Sequence, residues 1–291
     1  MRAYIRLARP KQWLKNVLVL SAPAAAGKLL DPHVLSQTII AFVAFCLAAS
    51  GLYMINDARD AASDRLHPKK RLRPIAAGLI SPRAGTVVGI AILLIALALS
   101  VAAGNKFFFA VLTYLITTIA YTLWFKHEPV LDISIVAFGF LLRAIAGGLA
   151  TNLPLSVWFL TVAAFGSLFM VSGKRYAELV ETGADASSHR PVLSLYSPAY
   201  LNYVRALSSA VAITAYGLWA FEGFSIPHGQ FFIQISTIPF VIGILLYALK
   251  ADQGLTGSPE DVILGDKKLL TTGMVWAISI GIGIYLPHLF H

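Results

Sequence analysis

The sequence predicts an all-α membrane protein, a single bundle of about nine transmembrane helices entered from a cytosolic N-terminus. Three observations lead there. The 291 residues are 57% hydrophobic and only 13% charged, with mean hydropathy +0.73, whereas a soluble domain is usually about a quarter charged. Apolar runs of roughly 20 residues, the length that crosses a bilayer, follow one another along most of the chain. Lysines and arginines gather on alternate connections between those runs, as membrane orientation demands.

The lead-in, MRAYIRLARPKQWLKN, is basic with an interrupted apolar pattern and no signal-peptide cleavage site, so it reads as an amphipathic cytosolic segment. The first span, 17–30, is the weakest, because VLVLSAPAAAGKLL is short and contains Pro23. The second, 35–55, runs up to the polar stretch that begins at Asn56. The third, 84–103, carries no charge, and the fourth, 107–125, opens on three phenylalanines. The fifth, 130–150, contains Arg143, where an arginine costs about 2.5–3.5 kcal/mol on insertion scales and so needs a partner or a wet cavity. The sixth, 156–173, stops just before Lys174, and the last three occupy 200–221, 230–249 and 270–288.

With the N-terminus inside, 20 of the 23 lysines and arginines fall on inner segments, Lys28 and Lys106 fall outside, and Arg143 lies within a span. Twelve of the fourteen acids are also inside, Asp31 and Glu222 being the exceptions. Carboxylates contribute little to orientation, so their placement reflects function, and the chemistry belongs on the cytosolic face. The net charge of +9 is explained by this topology and calls for no nucleic-acid partner. Cys46 is the one cysteine, which excludes an intrachain disulfide and a thiolate metal cluster and leaves it as a small packing residue. Residues 1–291 read as one integral-membrane catalytic domain; self-association into a homo-oligomer is left open.

The strongest chemical signal is SGLYMINDARDAASDRLHPKKRLRPIAAG, at the inner end of the second span. If the helix continues, Asn56, Asp57, Asp60 and Asp64 share one face over two turns, with Tyr53 one turn earlier. Three carboxylates and an amide so close together repel unless they share a cation. Their hard oxygens suit Mg²⁺, which typically takes one or two carboxylates plus substrate phosphates. We read Asn56, Asp57, Asp60 and Asp64 as the metal-holding set and the three aspartates as catalytic, with Asn56 and Asp60 the first choices for ligands. The basic run that follows, Arg65, Lys69, Lys70, Arg71 and Arg73, supplies charge-assisted hydrogen bonds to phosphate oxygens. Lys15, Lys126, Lys174 and Arg175 lie at other inner ends and join Lys70, Arg71 and Arg73 in a cationic cradle. Arg143 is either a second phosphate ligand or a structural partner of an inward acid such as Asp132. Gly147 and Gly148 permit close helix approach, and Glu260, Asp261 and Asp266 read as a solvated loop with a helix cap.

On these residues the sequence resembles the UbiA superfamily of intramembrane prenyltransferases, whose first aspartate-rich motif, N-D-x-x-D-x-x-x-D, matches Asn56 to Asp64 at every specified position. The resemblance implies a UbiA-like helical bundle that binds a diphosphate through Mg²⁺ at the cytosolic mouth of its cavity. The family's second motif, D-x-x-x-D after the sixth span, is absent. Its place is taken by FMVSGKRYAELVE, with Lys174, Arg175, Tyr176 and Glu178. That departure resembles one branch, the decaprenyl-phosphate phosphoribosyltransferases, as do RPKQWLKN, GFLLRAIAGG and SPEDVILGD. The branch implies a reversal of roles: a polyprenyl monophosphate is the acceptor and phosphoribosyl diphosphate (PRPP) the donor, in the synthesis of a lipid-linked pentose for cell-envelope arabinan-type glycan. Lys15, Tyr53, Lys70, Arg71, Arg73, Lys126, Arg143, Lys174, Arg175 and Glu178 are then the substrate-binding residues and Mg²⁺ the cofactor. The implied location is the plasma membrane, with the site facing the cytosol.

Two other readings compete. A prenyltransferase joining a prenyl diphosphate to an aromatic acceptor needs the second acid motif that is missing. A transporter would place its polar residues near the bilayer midplane, whereas these acids stand at one mouth.

Overall fold

The computed structural model describes residues 2–67, 70–182, 191–222 and 229–286. Among these there are helices and connections but no strand. The helices are α1 (Arg2–Ala8), α2 (Ser21–Ala25), α3 (Pro32–Arg59), α4 (Ala61–Leu66), α5 (Pro82–Ala102), α6 (Asn105–Leu123), α7 (Leu131–Thr151), α8 (Val157–Thr182), α9 (Pro198–Glu222), α10 (Gln230–Ile235), α11 (Thr237–Asp252), α12 (Pro259–Gly265) and α13 (Lys267–Tyr285). Eight membrane-crossing candidates, long and apolar enough, arise from α3, α5, α6, α7, α8, α9, the α10–α11 pair and α13.

Each of the eight coincides with an expected span, and the difference lies at the first. Residues 17–30 do not form one long helix. A 3₁₀ segment, Pro10–Leu20, passes into the five-residue α2, and Gly27 with φ 68° ends the run. Arg9 before it is left-handed, with φ 54°. Pro10 and Pro23 remove backbone donors along this run, which interrupts a regular α-helix.

Local sequence explains where the long helices begin. Asp31 caps α3 by accepting from His33 N (2.8 Å) and Val34 N (3.2 Å), with Pro32 in the first turn. Ser81 accepts from Ala84 N (3.2 Å) and precedes Pro82 at the start of α5. Asp266 does the same for α13 through Lys268 N (2.9 Å) and Leu269 N (3.1 Å). Each cap satisfies helix N–H groups that have no intrahelical acceptor.

The chain divides into two compact units, with boundaries inside α6 and α7. Unit 1 comprises residues 1–24, 28–116 and 143–153. Its core includes Leu7, Met54, Ala58, Ala61, Ile75 and Ile80. Helices α3 and α5 approach closely through glycines, since a Cβ on Gly89 would lie 3.0 Å from the Gly51 carbonyl oxygen. Gly147 fits against the Val19 carbonyl, as its expected packing role requires. Unit 2 comprises 25–27, 117–142 and 154–291, with a core that includes Ile133, Val171, Val192, Leu201 and Val204. Large apolar side chains such as Leu94, Leu245 and Ile278 remain exposed along the spans, as lipid-facing surface would. The protein is a multi-pass membrane protein.

Candidate active site

In unit 1 the acid-rich end of α3 keeps its periodicity across a break. Helix α3 stops at Arg59, and Asp60 (φ −89°, ψ 5°) separates it from α4. Asp60 N nonetheless donates to Asn56 O, and Asp64 N to Asp60 O, each at 2.9 Å. Asn56, Asp60 and Asp64 therefore still follow one another turn by turn, with Asp57 next to Asn56.

Arginines hold two of the three carboxylates. Asp57 and Asp64 are each only 3% exposed. Arg73 Nη1 donates to both, at 3.1 Å to Asp57 Oδ1 and 2.7 Å to Asp64 Oδ2. Arg9 Nη2 donates to the same Asp57 oxygen at 2.5 Å, while its guanidinium carbon sits 4.7 Å from the Tyr53 ring centroid. Trp13 Nε1 donates to Ser50 Oγ, which donates to Ala8 O, so the lead-in is fastened to α3 beside this cluster.

Asp60 differs from its two neighbours. Its side chain is 43% exposed and meets Arg59 Nε only at 3.4 Å. Asn56, one turn before, is half-buried. Among the described residues no three His, Cys, Asp or Glu side chains form a group able to hold a cation by themselves. That donor set fits Mg²⁺ when phosphate oxygens complete the coordination, with Asn56 and Asp60 as the protein's share. Asp57 and Asp64, expected among the ligands, accept from Arg9 and Arg73 in this structure.

Of the cationic cradle in unit 1, Lys70 and Arg71 are exposed in a short 3₁₀ turn, Arg73 is bound as above, and Lys15 Nζ donates to Gln12 Oε1 at 2.5 Å. Arg65 Nε donates to Ala76 O, and Lys69 lies outside the described residues. Arg143 is 7% exposed and donates to Asn16 Oδ1 (2.7 Å) and Tyr114 OH (3.0 Å), with its guanidinium carbon 4.7 Å from the Tyr114 ring centroid. Asn16 Nδ2 in turn donates to Cys46 Sγ at 3.3 Å. The intramembrane arginine is thus caged by an amide, a phenol and aromatic faces.

Asp132, weighed as the partner of Arg143, belongs to Arg175 in unit 2. Arg175 Nε and Nη2 donate to the two Asp132 oxygens at 2.6 and 3.1 Å, a bidentate pair. Nη1 reaches Glu178 Oε2 at 2.8 Å, and Tyr121 OH donates to Asp132 Oδ1 at 2.8 Å. Arg175 is 2% and Asp132 0% exposed. Arg175, expected among the substrate ligands, is thus paired with Asp132 in the interior, and Glu178, its side chain 25% exposed, holds the same guanidinium. Lys174 keeps a looser tie, 3.7 Å to Glu178 Oε1, with its side chain 34% exposed. Lys126 is half-buried in the α6–α7 connection. That connection is pinned by Val130, whose left-handed backbone (φ 68°) donates its N–H to Tyr196 OH at 2.9 Å. Burial pushes the Tyr196 hydroxyl up to about 12, so it stays protonated at neutral pH.

Sequence reasoning missed Arg9, Asn16, Tyr114 and Tyr121 as partners. Arg9 and Asn16 sit in the lead-in whose basic character topology already explained. Nothing local marks the tyrosines among the other aromatics of their spans.

A family model described as the UbiA prenyltransferase family matches residues 17–258. A decaprenyl-phosphate phosphoribosyltransferase of Corynebacterium glutamicum is 43% identical over 294 residues, covering 98% of this chain and 88% of that protein. Its counterpart in Mycobacterium tuberculosis is 44% identical over 286 residues, 96% of this chain and 93% of its own. Among solved structures, a UbiA homolog from Archaeoglobus fulgidus bound to DMAPP and Mg²⁺ is similar with TM-score 0.74 and 22% identity, covering 97% of this chain and 99% of that one. The same homolog bound to GPP and Mg²⁺ gives TM-score 0.71 at 23% identity, covering 98% and 99%. These likenesses show the fold.

Proposed function

This chain belongs to the UbiA prenyltransferase family, and on that premise we propose that it transfers the 5-phosphoribosyl group of PRPP to decaprenyl phosphate, with diphosphate leaving. The observation that carries this reading is the identity of 43–44%, over nearly the whole chain, to relatives named for that transfer. The residues agree with it. Where a prenyl-diphosphate enzyme of this family needs a second acid cluster, this chain has Lys174 and the Arg175–Asp132 pair.

Atoms balance simply. An oxygen of the lipid phosphate forms a bond to C1 of the ribose as the bond from C1 to the diphosphate breaks, and the diphosphate departs with the electron pair. The acceptor is already ionised at neutral pH, as the second pKa of about 6 for a phosphate monoester implies, so no general base is needed. Catalysis then comes from positioning and from stabilising charge on the leaving group.

Asn56 and Asp60 are the residues that would hold Mg²⁺ against the diphosphate. When bound there, the ion neutralises charge on the leaving group. Asp57 and Asp64 orient Arg73 and Arg9, and the exposed Lys70 and Arg71 meet further phosphate oxygens. In unit 2, Asp132, Glu178 and Tyr121 hold Arg175 rigid, which steadies the helical turn that presents Lys174. Lys15, Lys126 and Arg143 contribute positive potential. Residues 1–291 act as one catalytic chain in the plasma membrane, the site facing the cytosol, in the supply of a lipid-linked pentose for envelope glycan.

The test is a purified-protein assay with Mg²⁺, decaprenyl phosphate and PRPP labelled in the ribose, scoring label that enters organic solvent. Wild type transfers label, and Asp60→Ala reduces transfer by at least about 100-fold, the size expected for loss of a charge-stabilising group. Failure of the wild type, with product instead from a prenyl diphosphate and an aromatic acid, would overturn the proposal.

A further inference from the structure

We propose that Arg205, Asn202 and Tyr247 form a recognition position in unit 2 for a phosphorylated sugar, Arg205 taking a phosphate oxygen and Asn202 and Tyr247 the hydroxyl side. This deepens the phosphoribosyl-transfer reading and rests on it for the identity of the sugar phosphate.

Arg205 stands on α9, two turns in from Pro198, and is only 9% exposed. Its Nη1 is buried and makes no hydrogen bond. Nη2 lies 3.5 Å from Asp252 Oδ1, a loose contact to a carboxylate that is itself 63% exposed. The guanidinium carbon sits 5.1 Å from the Tyr176 ring centroid, one residue after Arg175 on α8. Ion pairing and stacking therefore account for the charge and the face of Arg205 but not for the Nη1 donors.

One more orphaned group and a buried phenol accompany it. Asn202 precedes Arg205 by three residues, so the two side chains neighbour each other on the α9 surface, and Asn202 Oδ1 is buried with no hydrogen bond. Tyr247, on α11, buries a hydroxyl beside Thr256, and it interacts electrostatically with Glu260 and Arg205. Buried polar atoms without partners are rare in native proteins because they have lost water and gained nothing in return, and each calls for an explanation.

The chemistry of the three restricts the ligand. Guanidinium Nη1 only donates, an amide oxygen only accepts, and a phenol does either. An inorganic anion satisfies Arg205 but offers Asn202 Oδ1 little. A sugar phosphate brings both kinds of group, since its phosphate oxygens accept from Arg205 and its hydroxyls donate to Asn202. The bidentate Arg175–Asp132 network fixes the α8 turn that carries Tyr176, so the platform beneath the Arg205 guanidinium is rigid.

The experiment measures equilibrium binding of ribose 5-phosphate to the purified full-length chain, with inorganic phosphate and ribose as comparison probes. Arg205→Gln weakens ribose 5-phosphate binding at least about tenfold, as loss of a charged hydrogen bond implies. Tyr247→Phe, which keeps the ring, weakens it severalfold, and Asn202→Ala lowers the preference for ribose 5-phosphate over inorganic phosphate. In transfer assays the same variants raise KM for PRPP more than they lower kcat. Wild-type affinity and KM in Arg205→Gln and Tyr247→Phe would overturn the inference, as would loss of thermal stability with affinity unchanged. Equal binding of inorganic phosphate and ribose 5-phosphate by the wild type would also overturn it. If the wild type fails to transfer ribose but binds ribose 5-phosphate through Arg205, the transfer reading falls while this position stands.

Discussion

At the scale of single residues, the same type of side chain does opposite work in adjacent positions. Lys174 and Arg175 look equivalent in sequence, yet Arg175 is buried against Asp132 and Glu178 whereas Lys174 keeps a third of its side chain exposed. Removing one member of a buried ion pair strands the other charge and costs about 3–5 kcal/mol. Arg175→Ala is therefore expected to lower stability by that amount in detergent unfolding. Lys174→Ala should leave unfolding nearly unchanged and raise KM for a phosphate-bearing substrate. Equal stability of both variants would remove the distinction. Neighbours in sequence gave no hint of it, because Asp132 lies 43 residues away.

At the scale of elements, close approach and caps decide where helices sit. A Cβ at Gly147 would collide with the Val19 carbonyl oxygen, and a backbone atom cannot swing aside as a side-chain tip can. Gly147→Ala is expected to destabilise unit 1 or abolish folding, whereas Gly166→Ala, which meets nothing within 4 Å, should be silent. Thermal unfolding of the two variants checks this. The cap at Asp266 carries a pH signature. The Lys250 hydrogen bond, then the Leu269 N–H, hold its carboxyl below the usual range. A lowered value stabilises the fold above the ordinary aspartate pKa of about 3.9, and that contribution is lost as pH falls through the folded value. The stability difference between wild type and Asp266→Ala should be full at pH 7 and shrink in strong acid; a constant difference would dissociate the cap from its charge.

At the scale of the whole molecule, the proposed cytosolic placement of the acid cluster has a direct test. Cys46 is the one cysteine and is buried, so the chain offers a quiet background for labelling. Leu72, beside the basic run, is 66% exposed. Leu72→Cys should react with a membrane-impermeant maleimide in inside-out vesicles and stay unlabelled in right-side-out ones; the reverse would invert the orientation. Eight of the nine expected spans could be read from the chain, since about 20 apolar residues in succession have few alternatives to crossing a bilayer. The first expected span, 17–30, is not one long helix, because Arg9, Pro10 and Pro23 impose local backbone constraints that hydropathy does not register. The turn-by-turn order of Asn56, Asp60 and Asp64 was equally legible, because helical spacing is a local property. Sequence by itself thus determined the membrane class, the spans and the composition of the acid cluster. Only the tertiary structure decided which charged groups meet which partners. Arg73 and Arg9 take Asp57, Arg175 takes Asp132, and Arg143 takes Asn16 and Tyr114. Pairing energies depend on distance and burial in the folded chain, and neither is written in the order of residues.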